Sequence, residues 1–360
     1  MDAWQVTTIA ARAQEAFAGE NWLMAGAYLA GAMGGTVAAV SLMGLILIYA
    51  ERKVAAHFQC RLGPMRVGWH GILQPIADGI KLFIKEDIIP AEADRLLYFL
   101  APFFCIMGTF LAILVLPASP FVQLIDLNVG VIFLAAVSGF GVFGVLLGGW
   151  SSNNKWSMLG AMRAGAQMVS YEISLTLSLL VVVLFSGSLK MSEIVASQAQ
   201  GWWIWRAHGV GLIAFMVFVI ASVAELNRAP FDLSEGESEL TGGFHTEYSG
   251  LRFALFFLAE FINMFLASAF AATFFLGGWM PFHIGDWAAF NGVMDVIPPA
   301  VWFLAKTSFL VFVIMWFRWT FPRLRVDQLM ALEWKVLLPV SLVNLFVGAV
   351  VVLSGFYFFS

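Results

Sequence analysis

The sequence predicts an all-α fold: a polytopic membrane helix bundle of about eight transmembrane helices. Three observations carry that expectation. The chain is 61% hydrophobic and only 12% charged, with mean hydropathy +0.87, whereas soluble domains carry about 25% charged residues. Its apolar runs approach the roughly 20 residues a spanning helix needs. They are also too continuous for the alternating strands of a membrane barrel.

The runs fall at about 22–49, 97–116, 129–149, 167–187, 208–227, 253–276, 299–317 and 336–358. The first twenty residues hold Asp2, Glu15 and Glu20 against Arg12 and precede any apolar core, so the first helix itself is expected to direct insertion rather than a cleaved signal. Residues 1–360 read as a single integral membrane domain. Between the first two runs, Ile72, Leu73, Ile76, Ile80, Phe83 and Ile84 recur at helical spacing while Asp78, Lys81 and Lys85 fall elsewhere. This predicts an amphipathic helix within 71–87, either anchored at the membrane surface or lining a binding cavity.

Charge sets the orientation. Fifteen of the nineteen lysines and arginines lie in the four loops after the odd-numbered spans. Excess Lys and Arg marks the cytoplasmic side, so those loops are expected to face the cytoplasm and both termini the outer, periplasmic side. Tryptophans 150, 202, 203, 279, 316 and 334 fit interfacial belts.

Gly139, Gly141 and Gly144 match the dinucleotide fingerprint in spacing, but no strand precedes them and they sit in the middle of a spanning run. They are a decoy. Gly31xxxGly35 and Gly144xxxGly148 read instead as close helix-packing contacts. Two cysteines, Cys60 and Cys105, form no disulfide framework, and histidines 57, 70, 208, 245 and 283 show no metal-ligand spacing. No metal site, nucleotide loop or catalytic triad is expected on this chain.

The densest chemistry lies at AELNRAPFDLSEGESELTGGFHTEY, 224–248. From Glu225 to Arg252 six acids (Glu225, Asp232, Glu235, Glu237, Glu239, Glu247) face two bases (Arg228, Arg252). Ser234-Glu-Gly-Glu237 also fits a capping box. Glu172 is expected about five residues into the fourth helix and Glu260 about seven into the sixth, each roughly 7–11 Å deep at 1.5 Å per residue, with Glu225 closing the fifth on the same side. Carboxylates in a membrane are costly. Burial and like-charge neighbours favour the protonated acid, so three at one level suit proton passage better than three independent ion pairs. Lys306 is a further candidate, as counter-ion, proton carrier or snorkelling side chain. Asn263, one turn from Glu260, shares its polar face.

Several blocks together resemble one family: the membrane-embedded H subunit of bacterial NADH–quinone oxidoreductase, respiratory complex I, and its mitochondrial counterpart. They are Glu51-Arg-Lys-Val, Arg61-Leu-Gly-Pro, Gly71-Ile-Leu-Gln-Pro-Ile-Ala-Asp78, Lys81-Leu-Phe-Ile-Lys-Glu86, Leu159-Gly-Ala-Met-Arg163, Tyr171-Glu172, the acidic block 224–240, Phe244 to Tyr248, Asp327-Gln-Leu-Met330 and Trp334-Lys335. Met65 and the stretch 150–155 depart slightly from the family pattern.

The resemblance implies a membrane component with no redox centre of its own inside a proton-translocating NADH:quinone oxidoreductase. Quinone, ubiquinone above all, is its substrate, while NADH, FMN and the iron–sulfur clusters belong to partner subunits. It implies peripheral-arm and antiporter-like membrane partners, no nucleic acid, and a bacterial (or mitochondrial) inner membrane. The loops at about 50–96 and 228–252 would form the quinone-side surface. The implied quinone residues are Arg52, Arg61, Gln74, Asp78 and Phe244. The implied proton-coupling residues are Glu172, Glu225, Asp232, Glu235, Glu237, Glu239, Glu247 and Glu260, with Arg163, Arg228 and Lys306 balancing charge. The same membrane module on a hydrogenase or a ferredoxin-dependent enzyme is the nearest alternative. A secondary transporter would show inverted repeats, and none is evident; a passive anchor would leave the acids only contacting neighbours.

Overall fold

Apolar runs became helices because backbone N–H and C=O groups in hydrocarbon must be bonded within their own segment. The structure, a computed structural model, describes residues 8–18, 22–120, 122–206, 208–233, 242–283 and 287–355. Among them it is helical, with no strand beyond one isolated bridge between Ser119 and Val122. In chain order the helices are α1 (Ile9–Ala18), α2 (Trp22–Phe58), α3 (Gln74–Ile84), α4 (Arg95–Val115), α5 (Gly130–Ser151), α6 (Lys155–Ser186), α7 (Met191–Ala196) and α8 (Trp203–Arg206). There follow α9 (Val210–Glu225), α10 (Gly250–Phe275), α11 (Ala288–Met294), α12 (Pro299–Thr320), α13 (Val326–Leu332) and α14 (Leu338–Ser354). A π-helical turn, Glu333–Leu337, joins the last two into one span. Seven spans are long and apolar enough to cross a membrane, and α9 adds a shorter apolar helix of 16 residues. The protein is a multi-pass membrane protein.

Two helices run well past the apolar runs that announced them. α2 continues nine residues beyond 49 to Phe58, and α6 begins twelve residues before 167, at Lys155. Hydropathy marks what hydrocarbon tolerates, not where helical hydrogen bonding stops. Glu51-Arg-Lys are good helix formers, and Asn154 caps α6 by accepting from the Trp156 N–H at 2.9 Å. The depth count from helix starts is corrected accordingly. Glu172 is the eighteenth residue of α6 and Glu260 the eleventh of α10.

At 1.5 Å per residue α9 spans about 24 Å, less than the ~30 Å hydrocarbon core. Its end and the loop behind it are therefore folded into protein, the only place irregular backbone survives at such depth. Gln167 of α6, 1% exposed, provides for them: its Nε2 donates to Ala224 O at 2.7 Å and Phe231 O at 2.8 Å. Asn227 turns the chain with φ 51°, and the next residue, Arg228, points into the bundle.

The amphipathic segment is α3, preceded by a 3₁₀ turn at Trp69–Gly71. Ile76, Ile80, Phe83 and Ile84 are exposed, while Gln74 lines a cavity and Asp78 pairs with Arg52 of α2, so the helix is amphipathic as expected. The loop after α3 docks on the start of α10: the Ile88 N–H donates to Ser249 Oγ at 3.0 Å and Arg252 pairs with Asp87 at 3.2 Å.

The Gly144xxxGly148 contact is present. A Cβ on Gly144 would lie 2.7 Å from Cys105 N of α4, and one on Gly148 would meet the Phe256 ring at 3.3 Å. Gly31xxxGly35 is corrected: within this chain both glycines open into free space, because the first half of α2 stands off from the bundle. The close approach that positions the loop 242–249 is at Gly160, where a Cβ would lie 2.8 Å from Gly243 Cα. Gly160→Val therefore forces backbone apart and costs about 1–3 kcal/mol, read as a lower melting temperature of the detergent-solubilised protein. An unchanged melt would show that the loop packs there loosely.

Candidate functional site

Four charges from four segments meet below α9. Arg228, 2% exposed, donates through Nε to Glu260 Oε1 of α10 and through Nη1 to Glu51 Oε2 of α2, each at 2.7 Å. The Phe261 ring lies under the guanidinium at 4.6 Å, and Met264 Sδ accepts from Nη1 at 3.2 Å. Arg318 of α12 closes the set by bonding Glu51. Two acids against two bases make a neutral quartet, which is what lets Glu51 and Arg228 sit almost wholly out of water.

Two members of the quartet, Glu51 and Arg318, form the floor of an open cavity of about 550 Å³, within the 300–1,000 Å³ of small-molecule sites. Its lining includes Glu51, Arg52, Arg61, Gln74, Arg318 and Phe257. Arg52 is ion-paired with Asp78 of α3, and Gln74 Nε2 donates to the other Asp78 oxygen at 3.3 Å. Four of the five quinone-side residues named from sequence thus converge here. The fifth, Phe244, does not. It lies deeper, T-shaped against Phe256 at 5.4 Å.

Behind the quartet lie two smaller cavities of about 70 and 120 Å³, both above the roughly 15 Å³ that one water centre requires. Glu260, Asn227, Phe244 and His245 line the nearer; Ser138, Thr109 and Ser222 line the farther. Glu225 and Asn263 line both. Glu225 is within electrostatic reach of Glu172, and Glu172 accepts from Ser138 Oγ at 2.6 Å. The order from the open cavity inward is therefore quartet, Glu260, Glu225, then Ser138 with Glu172.

The other sequence candidates are placed elsewhere. Asp232 pairs with Arg323 at 2.7 Å, tying the acidic loop to the segment before α13. Glu247 accepts from Asn154 Nδ2 at 2.5 Å, at the α5–α6 turn and off the lining of both inner cavities. Arg163 is half-buried on α6. Among the described residues no carboxylate pairs with Lys306: its ammonium donates to the Leu276, Gly278 and Met280 carbonyls at 2.6, 3.0 and 2.7 Å and lies 4.5 Å from the Trp202 ring. It closes the C-terminus of α10, where orphan carbonyls and the helix dipole favour a cation. Glu235, Glu237 and Glu239, with the capping box at Ser234, lie outside the described residues.

Residue reading missed the roles of Glu51, Arg318 and Arg323. The available signal was Glu51 directly after a long apolar run, where only a paired acid is tolerated. It also missed Glu333, 0% exposed on the π-helical turn, which accepts from Ser174 Oγ at 2.5 Å.

Arg228→Met strands Glu260 and leaves Glu51 to Arg318 alone, and is expected to cost about 3–5 kcal/mol; adding Glu260→Gln should recover part of the lost thermal stability, and no recovery would mean the pair is not coupled. Burial pushes the His245 imidazole down from 6.5 to about 4. Between those values the unfolded chain binds a proton that the folded chain does not, so stability falls as pH drops through that window. His245→Asn should flatten this part of the pH–stability curve, measured by thermal unfolding.

The family profile described as NADH dehydrogenase matches residues 32–349. A Bacteroides fragilis protein, named as the H subunit of an NADH-quinone oxidoreductase, is 53% identical over 322 residues, covering 89% of this chain and 90% of that protein. A Geobacillus protein of the same name is 51% identical over 306 residues, 84% of this chain and 88% of the relative. The first of the numbered H subunits of Geobacter sulfurreducens is 46% identical over 325 residues, 84% and 89% of the two chains. With all of its helical spans from α2 to α14 inside or overlapping that match, the chain belongs to the NADH dehydrogenase family, among the H subunits of complex I.

Proposed function

We propose that this chain walls the quinone channel of a proton-translocating NADH–quinone oxidoreductase and links quinone reduction to proton movement. The single observation that carries this reading is the Arg228 bridge. It joins the floor of the open cavity, Glu51, to the first acid of the inner cavities, Glu260.

The open cavity has the size and lining for a quinone head with its chain trailing along apolar wall. Arg52, Gln74 and Arg61 offer donors to quinone oxygens; Asp78 holds Arg52 in place. Partner subunits would bind NADH, FMN and the iron–sulfur clusters, which supply the electrons. Reducing quinone to quinol consumes two electrons and two protons, and any charge appearing over Glu51 changes what Arg228 gives to Glu260. Loss of a favourable partner drives a carboxylate toward its protonated form. Glu260 then takes up a proton and passes it through water to Glu225 and on to Glu172.

The remaining acids of the 228–252 loop extend the passage toward antiporter-like membrane subunits, and the peripheral arm docks over the loops at 50–96 and 228–252. That side faces the cytoplasm of a bacterial inner membrane, with both termini outside. Ubiquinone is the favoured substrate. Residues 1–360 act as one membrane domain.

Glu260→Gln or Glu225→Gln is expected to depress quinone-coupled proton pumping at least about tenfold, with NADH oxidation by an artificial acceptor intact. Normal pumping by a fully assembled variant would sink the role of that carboxylate.

A further inference from the structure

The two inner cavities adjoin across a shared set of lining residues, the junction between them. Six residues line both: Cys105, Gly141, Met168, Glu225, Leu226 and Asn263. Of their polar groups, the Cys105 thiol is already donating to Gly141 O at 3.7 Å. What remains at the junction is the Glu225 carboxyl and the Asn263 amide.

The amide is not free to choose its direction. Thr109 of α4, 2% exposed, donates from Oγ1 to Asn263 Oδ1 at 2.9 Å. The same Oγ1 lies 3.3 Å from the Cys105 carbonyl one turn back, but its single proton goes to the nearer Asn263 oxygen, which holds the amide carbonyl-first toward α4. The Nδ2 donors consequently face the junction, and no described protein acceptor takes them.

An amide nitrogen donates but does not accept. Water bonded to Nδ2 turns its oxygen to the amide and both hydrogens away, toward the two cavities. A proton moves along a water chain only if each member has a lone pair facing the incoming side. Donors that fix water oxygen-first interrupt such a chain, as they do in water-selective pores.

We propose that Asn263, oriented by Thr109, is a positioning residue that blocks direct proton flow between the two inner cavities, so that protons cross only on the Glu225 carboxyl. In each crossing a proton from water of the nearer cavity forms the Glu225 O–H. That O–H then breaks toward water of the farther cavity, leaving the carboxylate as it began. No charge passes Asn263 itself. The inference rests on the acidic-passage reading above and deepens it: the junction has an acid that carries and an amide that prevents slip.

The experiment uses membrane vesicles containing the whole assembled enzyme, reading protons translocated per NADH oxidised, with NADH oxidation by an artificial acceptor as the assembly control. Asn263→Asp replaces the donor by an isosteric acid. In the Glu225→Gln background it is expected to restore pumping at least about threefold over Glu225→Gln alone. Thr109→Val removes the hydroxyl at constant shape, releases the amide and should lower protons per NADH about twofold through slip. Thr109→Ser keeps the donor and the wild-type ratio.

Normal pumping by Glu225→Gln would overturn the passage reading itself. Pumping abolished by Glu225→Gln, without rescue by Asn263→Asp and with Thr109→Val matching Thr109→Ser, would overturn the valve alone. Should the double variant fail to assemble, the Thr109 pair decides.

Discussion

A single guanidinium shared by two buried carboxylates is the constraint around which the rest of this bundle is arranged. Arg228 reaches Glu51 and Glu260 only because α9 stops after 16 residues and its following loop folds inward. Extending α9 to a full span would carry Arg228 toward the surface, leave Glu260 without its cation and leave Glu51 to Arg318 alone. Breaking such a pair costs several kcal/mol, whereas the intact pair gains little over hydrocarbon. The arrangement is thus poor as a stabilising device. Its retention makes sense as a device that responds to charge: whatever alters Glu51 at the cavity floor alters Glu260 behind it.

The loop that makes this possible is held by neutral groups. Gln167 satisfies the end of α9 and the loop carbonyl of Phe231, and Leu324 N–H reaches Pro230 O at 2.9 Å. Tyr171 donates to Leu329 O at 2.9 Å, fixing α13 against α6. These bonds hold the backbone around the charged groups without drawing on the ion pairs themselves. Neutral hydrogen bonds do the holding, and ionised groups are left to change.

Much of this was legible in the sequence, and what was not has a common cause. Apolar runs gave the spans because insertion into lipid is a local property of about 20 residues. The acids at 172, 225 and 260 stood out because a carboxylate in such a run is conspicuous. Pairing is a different matter: Arg318 lies 267 residues from Glu51, and nothing local records that contact. Helix ends were misplaced at 49 and 167 for the reason that charged helix formers continue a helix without adding hydropathy. Lys306 looked like a counter-ion because a lone intramembrane cation invites an acid as partner; carbonyls at a helix C-terminus serve the same need and leave no mark in composition. The candidates Arg52, Arg61, Gln74, Asp78 and Phe244 came from the family pattern rather than from their chemistry, and that pattern does not record that Phe244 lines the inner cavity while Arg52, Arg61 and Gln74 line the open one.

The middle and the far end of α10 show how differently the same helix is used. Near its middle Glu260 meets Arg228, a pairing that a nearby charge can disturb. At its far end Lys306 binds three carbonyls beneath Trp202, a geometry in which no partner can gain or lose a proton, since a peptide oxygen does not titrate in this range. A cation held by dipoles is insensitive to the protonation of its partners; one held by carboxylates is not. α10 is therefore anchored at its C-terminal end and responsive near its middle. A rigid far end means that a change in ionisation near Glu260 is answered by local movement of water, side chains and the loop at 228–233, without the helix sliding as a whole. Within this frame the short helix α9 with its inward loop is the part that brings Arg228 to both acids.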